Sequence, residues 1–139
     1  MIARVLVPMD DSEMAIRALE YATEAYPDAE ITALHIVGEP SPMMGKAMTL
    51  VLEDDIEQAA DEHAAEIFER AREVARSHGV EISTDVAWGN PGKAIVNKAD
   101  DFDTVVIGSH GGSMSDRLFV GNVAQTVFRR SSVPVVVVR

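Results

Sequence analysis

The chain contains no cysteine, and only three of its 139 residues are lysine. The absence of cysteine excludes disulfides, thiol catalysis and cysteine-ligated metals, and it is typical of a cytoplasmic protein. No apolar run approaches the roughly 20 residues that a membrane-spanning helix needs. The first ten residues enter an apolar strand directly and lack the apolar centre and cleavage site of a signal peptide. We therefore expect a cytoplasmic protein that does not cross a membrane.

Positive charge is also scarce. Aspartate and glutamate number 23 against 12 lysines and arginines, which gives a net charge of −11. Nucleic acids and anionic membranes would be repelled, so we expect neither as a partner. A lysine-poor, acidic surface suits a salt-rich cytoplasm, because molar salt shortens the Debye length to about 3 Å and screens self-repulsion. The composition favours a halophilic host, with an ordinary acidic domain as the alternative.

The length predicts one domain over residues 1–139, with one sizeable core. Apolar periodicity alternates between strands and helices along the chain. The predicted strands are Ile2–Pro8, Glu30–Val37, Val80–Trp88, Asp103–Gly108 and Val133–Val138. Four helices are predicted: from Asp11 or Ser12 to Tyr26, over Val51–His78, over Pro91–Ala99, and from about Val123 to Arg130. Gly79 is the predicted C-cap of the second helix, and Gly38–Leu50 is predicted to be a loop. This strict alternation of strands and helices predicts right-handed crossover connections and a parallel α/β sheet.

The segment Val105–Val123 carries the clearest functional signal. An apolar strand ends at Gly108, a loop of small polar residues follows, and an apolar-periodic run begins after Gly121. Backbone N–H groups in such a loop, together with a helix N-terminus, are suited to hold a phosphate. The spacing is neither that of the P-loop nor that of the dinucleotide fingerprint. The alternative is that the glycines are turn residues with positive φ.

The spacing Gly108-x2-Gly111-x9-Gly121 resembles the ATP-binding signature of the universal stress protein family. In that family the last glycine is followed by serine or threonine, whereas Asn122 follows it here. Five segments in order carry the resemblance: VLVPMDDSE at Val5–Glu13, LHIV at Leu34–Val37, GNP at Gly89–Pro91, TVVIGSHG at Thr104–Gly111 and SVPVVVVR at Ser132–Arg139. The resemblance implies a doubly wound five-stranded parallel sheet of order 3-2-1-4-5, with helices on both faces. Strand order then reverses between strands one and four, where ligands bind in such folds.

The resemblance also implies roles for individual residues. Asp10 would contact the ribose or a metal ion bound to the nucleotide, and Ile36 would meet the adenine. Asn122 is expected to cap the last helix and to contact a phosphate in place of the family hydroxyl. The complete set of candidate nucleotide-binding residues is Pro8, Met9, Asp10, Ile36, Gly108, Ser109, Gly111, Gly112, Ser113, Arg117, Gly121, Asn122 and Val123.

Only one cation, Arg117, stands in the predicted loop, and either phosphate contact or a surface ion pair would explain it. We therefore expect ATP binding to depend on Mg²⁺ or Mn²⁺, with Asp10 near the metal. His35 is expected to be a structural histidine. His110 has no evident catalytic partner, so no catalytic residue is assigned.

The terminal strand Val133–Val138 would invite pairing if it lies at a sheet edge, and the resemblance implies a homodimer through it. The sequence thus predicts an ATP-binding, nucleotide-sensing stress-response protein that signals through unknown protein partners. A slow ATPase or autokinase using the same pocket, and a dimeric interaction module without nucleotide, are the alternatives.

Overall fold

The structure, a computed structural model, describes residues 1–38, 46–110 and 121–139, and for residues 46–57 it describes the helical backbone. The strands are β1 (Arg4–Pro8), β2 (Glu30–Val37), β3 (Ile82–Trp88), β4 (Thr104–Gly108) and β5 (Val135–Val138). The helices are α1 (Glu13–Ala25), α2 (Lys46–Ser77), α3 (Pro91–Ala99) and α4 (Asn122–Arg130). The strands form one parallel sheet of order β3-β2-β1-β4-β5, which confirms the predicted fold class and strand order.

Strand β1 is the centre of the sheet. It pairs with β2 from Arg4 to Pro8 and with β4 at Val5 and Leu6. Its residues Val5, Leu6 and Val7 are completely buried because helices cover both faces. This double coverage explains why the sequence reads as an apolar run and not as an alternation.

Two hydrophobic clusters lie on opposite faces of the sheet. On one face, Val7 packs with α1 and α2 through residues such as Leu19 and Ile67. On the other face, Leu6 packs with α3 and α4 through residues such as Ile95 and Val127. The sheet therefore separates two helix pairs, and the polar segments that follow the strands meet at its carboxyl edge.

Helices α3 and α4 approach each other closely at Gly92, which is buried in α3. A Cβ atom added there would lie 2.9 Å from Thr126 Cγ2 of α4. Such a distance is too short for a carbon–carbon contact, so a side chain at this position would have to displace Thr126. The contact joins the first turn of α3 to the middle of α4.

Helix boundaries follow from capping. The Ser12 side chain accepts a hydrogen bond from Ala15 N, and Asn90 Oδ1 accepts one from Lys93 N at 3.1 Å. Pro91 occupies the first turn of α3, and Gly79, after α2, has a φ of +73°. These signals explain why three of the predicted ends agree with the structure to within about one residue.

Helix α2 departs from the prediction in two respects. It begins at Lys46, so the loop predicted for residues 46–50 is wrong, and the remainder of that loop, residues 39–45, lies outside the described residues. Lysine, alanine, methionine and leucine in this stretch are strong helix formers. The sequence also predicts His63 on the apolar stripe of this helix, whereas His63 is exposed in the structure, with its ring beside that of His35. The buried residues of α2 are Ala64, Ile67, Phe68, Ala71 and Ala75.

Strands β1, β3 and β5 begin two residues later than predicted, and β4 begins one residue later. Within the described ranges, none of the helices has both the length and the apolar composition to cross a membrane.

Candidate functional site

A crevice of about 320 Å³ opens at the carboxyl ends of β1 and β4, where strand order reverses. It brings together eight of the thirteen predicted ligand-binding residues. These are Pro8, Met9, Asp10, Ile36, Gly108, Gly121, Asn122 and Val123. The topological argument thus places the ends of both strands at one cavity, as expected for this class of sheet.

Asp10, which follows β1, is held in place by the start of α1. Its Oδ1 atom accepts a hydrogen bond of 2.9 Å from Ser12 N and a second from the Ser12 hydroxyl. Ser12 Oγ in turn accepts from Ala15 N at 3.2 Å, which caps α1. The exposed carboxylate is therefore oriented by the backbone of the helix N-terminus.

Gly108, the last residue of β4, is required by the packing of α1. A Cβ atom at this position would lie 2.9 Å from the Met14 carbonyl oxygen and 3.0 Å from its carbon. Among the described residues, positive φ angles occur at Gly79 and Gly89 and not at Gly108 or Gly121. The alternative reading of these two glycines as positive-φ turn residues is therefore wrong, and close backbone approach explains them instead.

Ser109 is buried and does not line the crevice. Its amide donates to Val138 O at 2.8 Å, and its hydroxyl lies 2.9 Å from His110 Nδ1. The next residue, His110, does line the crevice. The hydroxyl that we expected to contact phosphate is thus engaged with a neighbouring imidazole.

Helix α4 begins beside this pair. Gly121 N donates to Ser109 O, and a Cβ atom at Gly121 would lie 3.2 Å from that oxygen. Gly121, and not Asn122, is the N-cap residue, and no side-chain hydrogen bond caps the helix. The predicted cap at Asn122 is wrong because Asn122 is already within the first helical turn. Its exposed side chain lines the crevice.

The crevice also has an apolar wall, much of which sequence reasoning missed. It comprises Leu34 and Ile36 from β2, Pro91 and Ile95 from α3, and Ile107 from β4. Only Ile36 was predicted. The position of α3 supplies a signal that could have found Pro91, because the helix starts directly after β3 at the same carboxyl edge of the sheet.

His35 forms part of the crevice wall and is a structural residue, as predicted. Its Nδ1 lies 2.9 Å from the Met9 carbonyl oxygen. A carbonyl oxygen can only accept, so Nδ1 carries the proton. The ring also makes edge contacts with His63 at 5.8 Å and Phe68 at 6.4 Å between ring centroids.

Four predicted ligand-binding residues, Gly111, Gly112, Ser113 and Arg117, lie outside the described residues. Among the side chains that the structure does describe, no three histidine, aspartate or glutamate residues converge to hold a metal ion. The charged or titratable residues in the described wall are Asp10, His35 and His110. In the described wall, the groups that could bind a phosphate are therefore mainly backbone N–H donors and the N-terminus of α4.

Comparison with known proteins agrees with this geometry. The model of the universal stress protein family matches residues 1–139. The universal stress protein YxiE of Bacillus subtilis is 30% identical over 149 aligned positions, covering 100% of both chains.

Two solved structures share the fold. That of the protein MJ0577, named a universal stress protein of Methanocaldococcus jannaschii, has a TM-score of 0.83 at 26% identity and covers 99% of this chain and 96% of that chain. A universal stress protein in complex with cAMP has a TM-score of 0.72 at 28% identity, covering 99% and 97% of the two chains. By its sheet order, its crevice and a family match over its whole length, the chain belongs to the universal stress protein family.

Proposed function

We propose that the chain binds ATP in the crevice between β1 and β4 and acts as a nucleotide-sensing regulator of the stress response. The observation that carries the proposal is the meeting of an apolar wall, an oriented carboxylate and a helix N-terminus in one cavity. The cavity volume of about 320 Å³ lies at the lower end of the range for small-molecule sites. A solved relative at 28% identity that is described in complex with cAMP supports an adenine nucleotide as the class of ligand.

Each part of the crevice suits one part of the nucleotide. Ile36, Pro91 and Ile95 form an apolar surface for the base. Asp10 provides an acceptor for ribose hydroxyls, because its carboxylate is exposed and already fixed by Ser12. The phosphates belong at the start of α4, where backbone N–H groups and the helix dipole favour negative charge.

The donors present fit a divalent cation that is carried by the nucleotide. Asp10 is the carboxylate of the described crevice wall, and a single carboxylate together with phosphate oxygens is a typical Mg²⁺ environment. Bound Mg²⁺ or Mn²⁺ would supply charge neutralisation that an acidic protein lacks. Titration with ATP in Mg²⁺ and in EDTA tests this dependence, and equally tight binding in EDTA would overturn it.

Isothermal titration calorimetry of two matched variants tests the site itself. Val123 lines the crevice at the start of α4 and is 38% exposed, whereas Phe128 is 48% exposed on the same helix and does not line the crevice. We expect Val123→Asp to weaken ATP binding at least about tenfold by charge repulsion at short range. Phe128→Asp, with the same added charge, should bind normally.

Absence of ATP binding by the unaltered protein would overturn the proposal. Equal binding by Val123→Asp and Phe128→Asp would instead place the nucleotide elsewhere. Native mass spectrometry of freshly purified protein, with extracted nucleotide identified by chromatography, provides an independent measurement.

We further propose that the functional unit is a homodimer joined through Val133–Val138. Strand β5 pairs with β4 along one side and is the last strand of the sheet order, and its four valines are half-buried. Light scattering should give twice the chain mass of 15.0 kDa. Outer-edge amides of β5 should lose protection from hydrogen exchange on dilution, while β3, the opposite edge strand, serves as the internal control. A monomer at all concentrations would exclude this assembly.

A further inference from the structure

His110 stands at the point of the crevice where the phosphates are proposed to bind. It lines the cavity directly after Gly108, and it packs against the start of α4, since a Cβ atom at Gly121 would lie only 3.3 Å from His110 Cα. Its Nδ1 lies 2.9 Å from Ser109 Oγ. The ring is thus held through Nδ1 by Ser109, which leaves the second nitrogen, Nε2, as the candidate contact for a ligand.

The contact with Ser109 is compatible with both charge states of the ring. A serine hydroxyl can donate and can accept. It donates to Nδ1 of a neutral imidazole and accepts from Nδ1 of an imidazolium. Because Ser109 is buried and its backbone amide is fixed by Val138 O, the hydroxyl stays beside the ring in either state. His110 can therefore gain or lose a proton without losing its positioning contact.

Other elements around the crevice contribute little positive charge. The turn between β1 and α1 presents Asp10, and β2 presents His35, which is committed to Met9 O. The described lining residues of α1, α3 and α4 are uncharged. Arg139 follows β5 and is exposed outside the lining, and Asp116 and Arg117 lie outside the described residues. Among the described lining residues, His110 is best placed to bring positive charge to a phosphate.

Building on the nucleotide binding proposed above, we propose that His110 is a phosphate ligand and that its protonation couples nucleotide affinity to pH. Histidine changes charge between about pH 5 and pH 8. The neutral ring, which accepts at Nδ1, can donate one hydrogen bond from Nε2, whereas the protonated ring adds a positive charge and therefore attracts the phosphates more strongly. Affinity therefore rises as the pH falls, and by reciprocity a bound nucleotide makes His110 retain its proton to a higher pH. The protein would then sense acidification together with nucleotide.

Calorimetric titration with ATP in a fixed excess of Mg²⁺ from pH 8.5 to pH 5.5 tests the coupling. The phosphate of ATP also titrates near pH 6, so the informative quantity is the ratio of affinities between the unaltered protein and His110→Gln at each pH. We expect this ratio to grow about tenfold from high to low pH, which corresponds to a shift of one pH unit in the proton equilibrium of the ring. His78→Gln is the matched control, because His78 follows α2 beside Glu20 and does not line the crevice.

A second measurement uses the unaltered protein and does not depend on how the variant folds. The chain has four histidines, and the imidazole resonance that is missing from His110→Gln identifies His110 in NMR spectra. Its titration midpoint should move up by about one pH unit when ATP saturates the protein, while the midpoint of His78 stays unchanged.

The outcomes separate the two proposals. A constant affinity ratio, or an unmoved His110 midpoint in protein that binds ATP, would overturn the role of His110 and leave nucleotide binding intact. Absence of ATP binding at every pH would overturn nucleotide binding and this inference together.

Discussion

At the scale of single residues, the close approach of Gly108 to the Met14 backbone leaves no space for a side chain. We expect Gly108→Ala to lower the free energy of unfolding by about 1–3 kcal/mol, because the added methyl group must displace α1. Gly38→Ala is the matched control, since a Cβ atom there meets nothing within 4 Å. Urea denaturation of the two variants measures the difference. Equal free energies of unfolding for the two variants would show that α1 can shift to accept the methyl group without loss of stability.

A second residue-scale prediction concerns Asp103, on the edge of the sheet opposite the crevice. Its Oδ2 accepts hydrogen bonds from Ala3 N at 2.8 Å and Arg4 N at 2.9 Å. These two bonds, more than the nearby positive charges, lower the pKa of the carboxyl group below its ordinary value. A lowered folded-state pKa contributes stability above the unfolded-state pKa, and the contribution is lost as the pH falls through the folded-state pKa.

Asp103→Asn keeps the shape and removes the charge. Its urea midpoint should be lower than that of the unaltered protein at pH 7, and the two midpoints should converge below about pH 4. Asp28→Asn, at an exposed aspartate in the turn before β2, is the control and should leave the midpoint unchanged at both pH values. A constant difference between Asp103→Asn and the unaltered protein across the pH range would contradict the assignment.

At the scale of elements, two asparagines at helix starts have different roles. Asn90 caps α3 through its side chain, whereas Asn122 lies in the first turn of α4 and makes no capping bond. Asn90→Ala should cost about 1 kcal/mol in the free energy of unfolding. Asn122→Ala should change it by less than about 0.5 kcal/mol. Thermal or urea denaturation of the two variants measures this difference. A loss of stability in Asn122→Ala as large as that in Asn90→Ala would show that Asn122 does cap the helix.

The contrast also shows what the sequence could and could not predict about elements. Ser12, Gly79 and Pro91 act through contacts within three or four residues, so the helix ends they mark were predictable from local chemistry. The start of α4 was misplaced by one residue because Gly121 is fixed by Ser109, twelve positions away in the chain. Helix α2 begins earlier than predicted because the two glycines and two prolines before residue 46 indicate a loop, and the predicted loop was extended past them to residue 50.

The candidate site was predictable to the extent that topology determines it. Asp10 and Gly108 follow the two strands where the order reverses, so their meeting could be foreseen. Pro91 could also have been foreseen from its position directly after β3, whereas Ile95 lies one turn further along α3 and its place in the wall depends on how α3 packs, which no local pattern encodes. The burial of Ser109 was also hidden, since its neighbour Val138 is distant in sequence.

At the scale of the whole molecule, the net charge of −11 predicts how stability responds to salt. Raising ionic strength from 0.01 M to 0.15 M shortens the Debye length from about 30 Å to about 8 Å. Self-repulsion then weakens, so the melting temperature should rise over this range. NaCl and KCl should act equally at equal ionic strength. If the melting temperature rises only in molar salt, and rises more with sulfate than with chloride, the cause would instead be exclusion of salt from the protein surface.

The glycine contact between α3 and α4 has a consequence for motion. Pro91 of α3 and Gly121 at the start of α4 both line the crevice, and Gly92 of α3 packs closely on Thr126 of α4. We therefore expect α3 and α4 to move together if the crevice closes on a ligand.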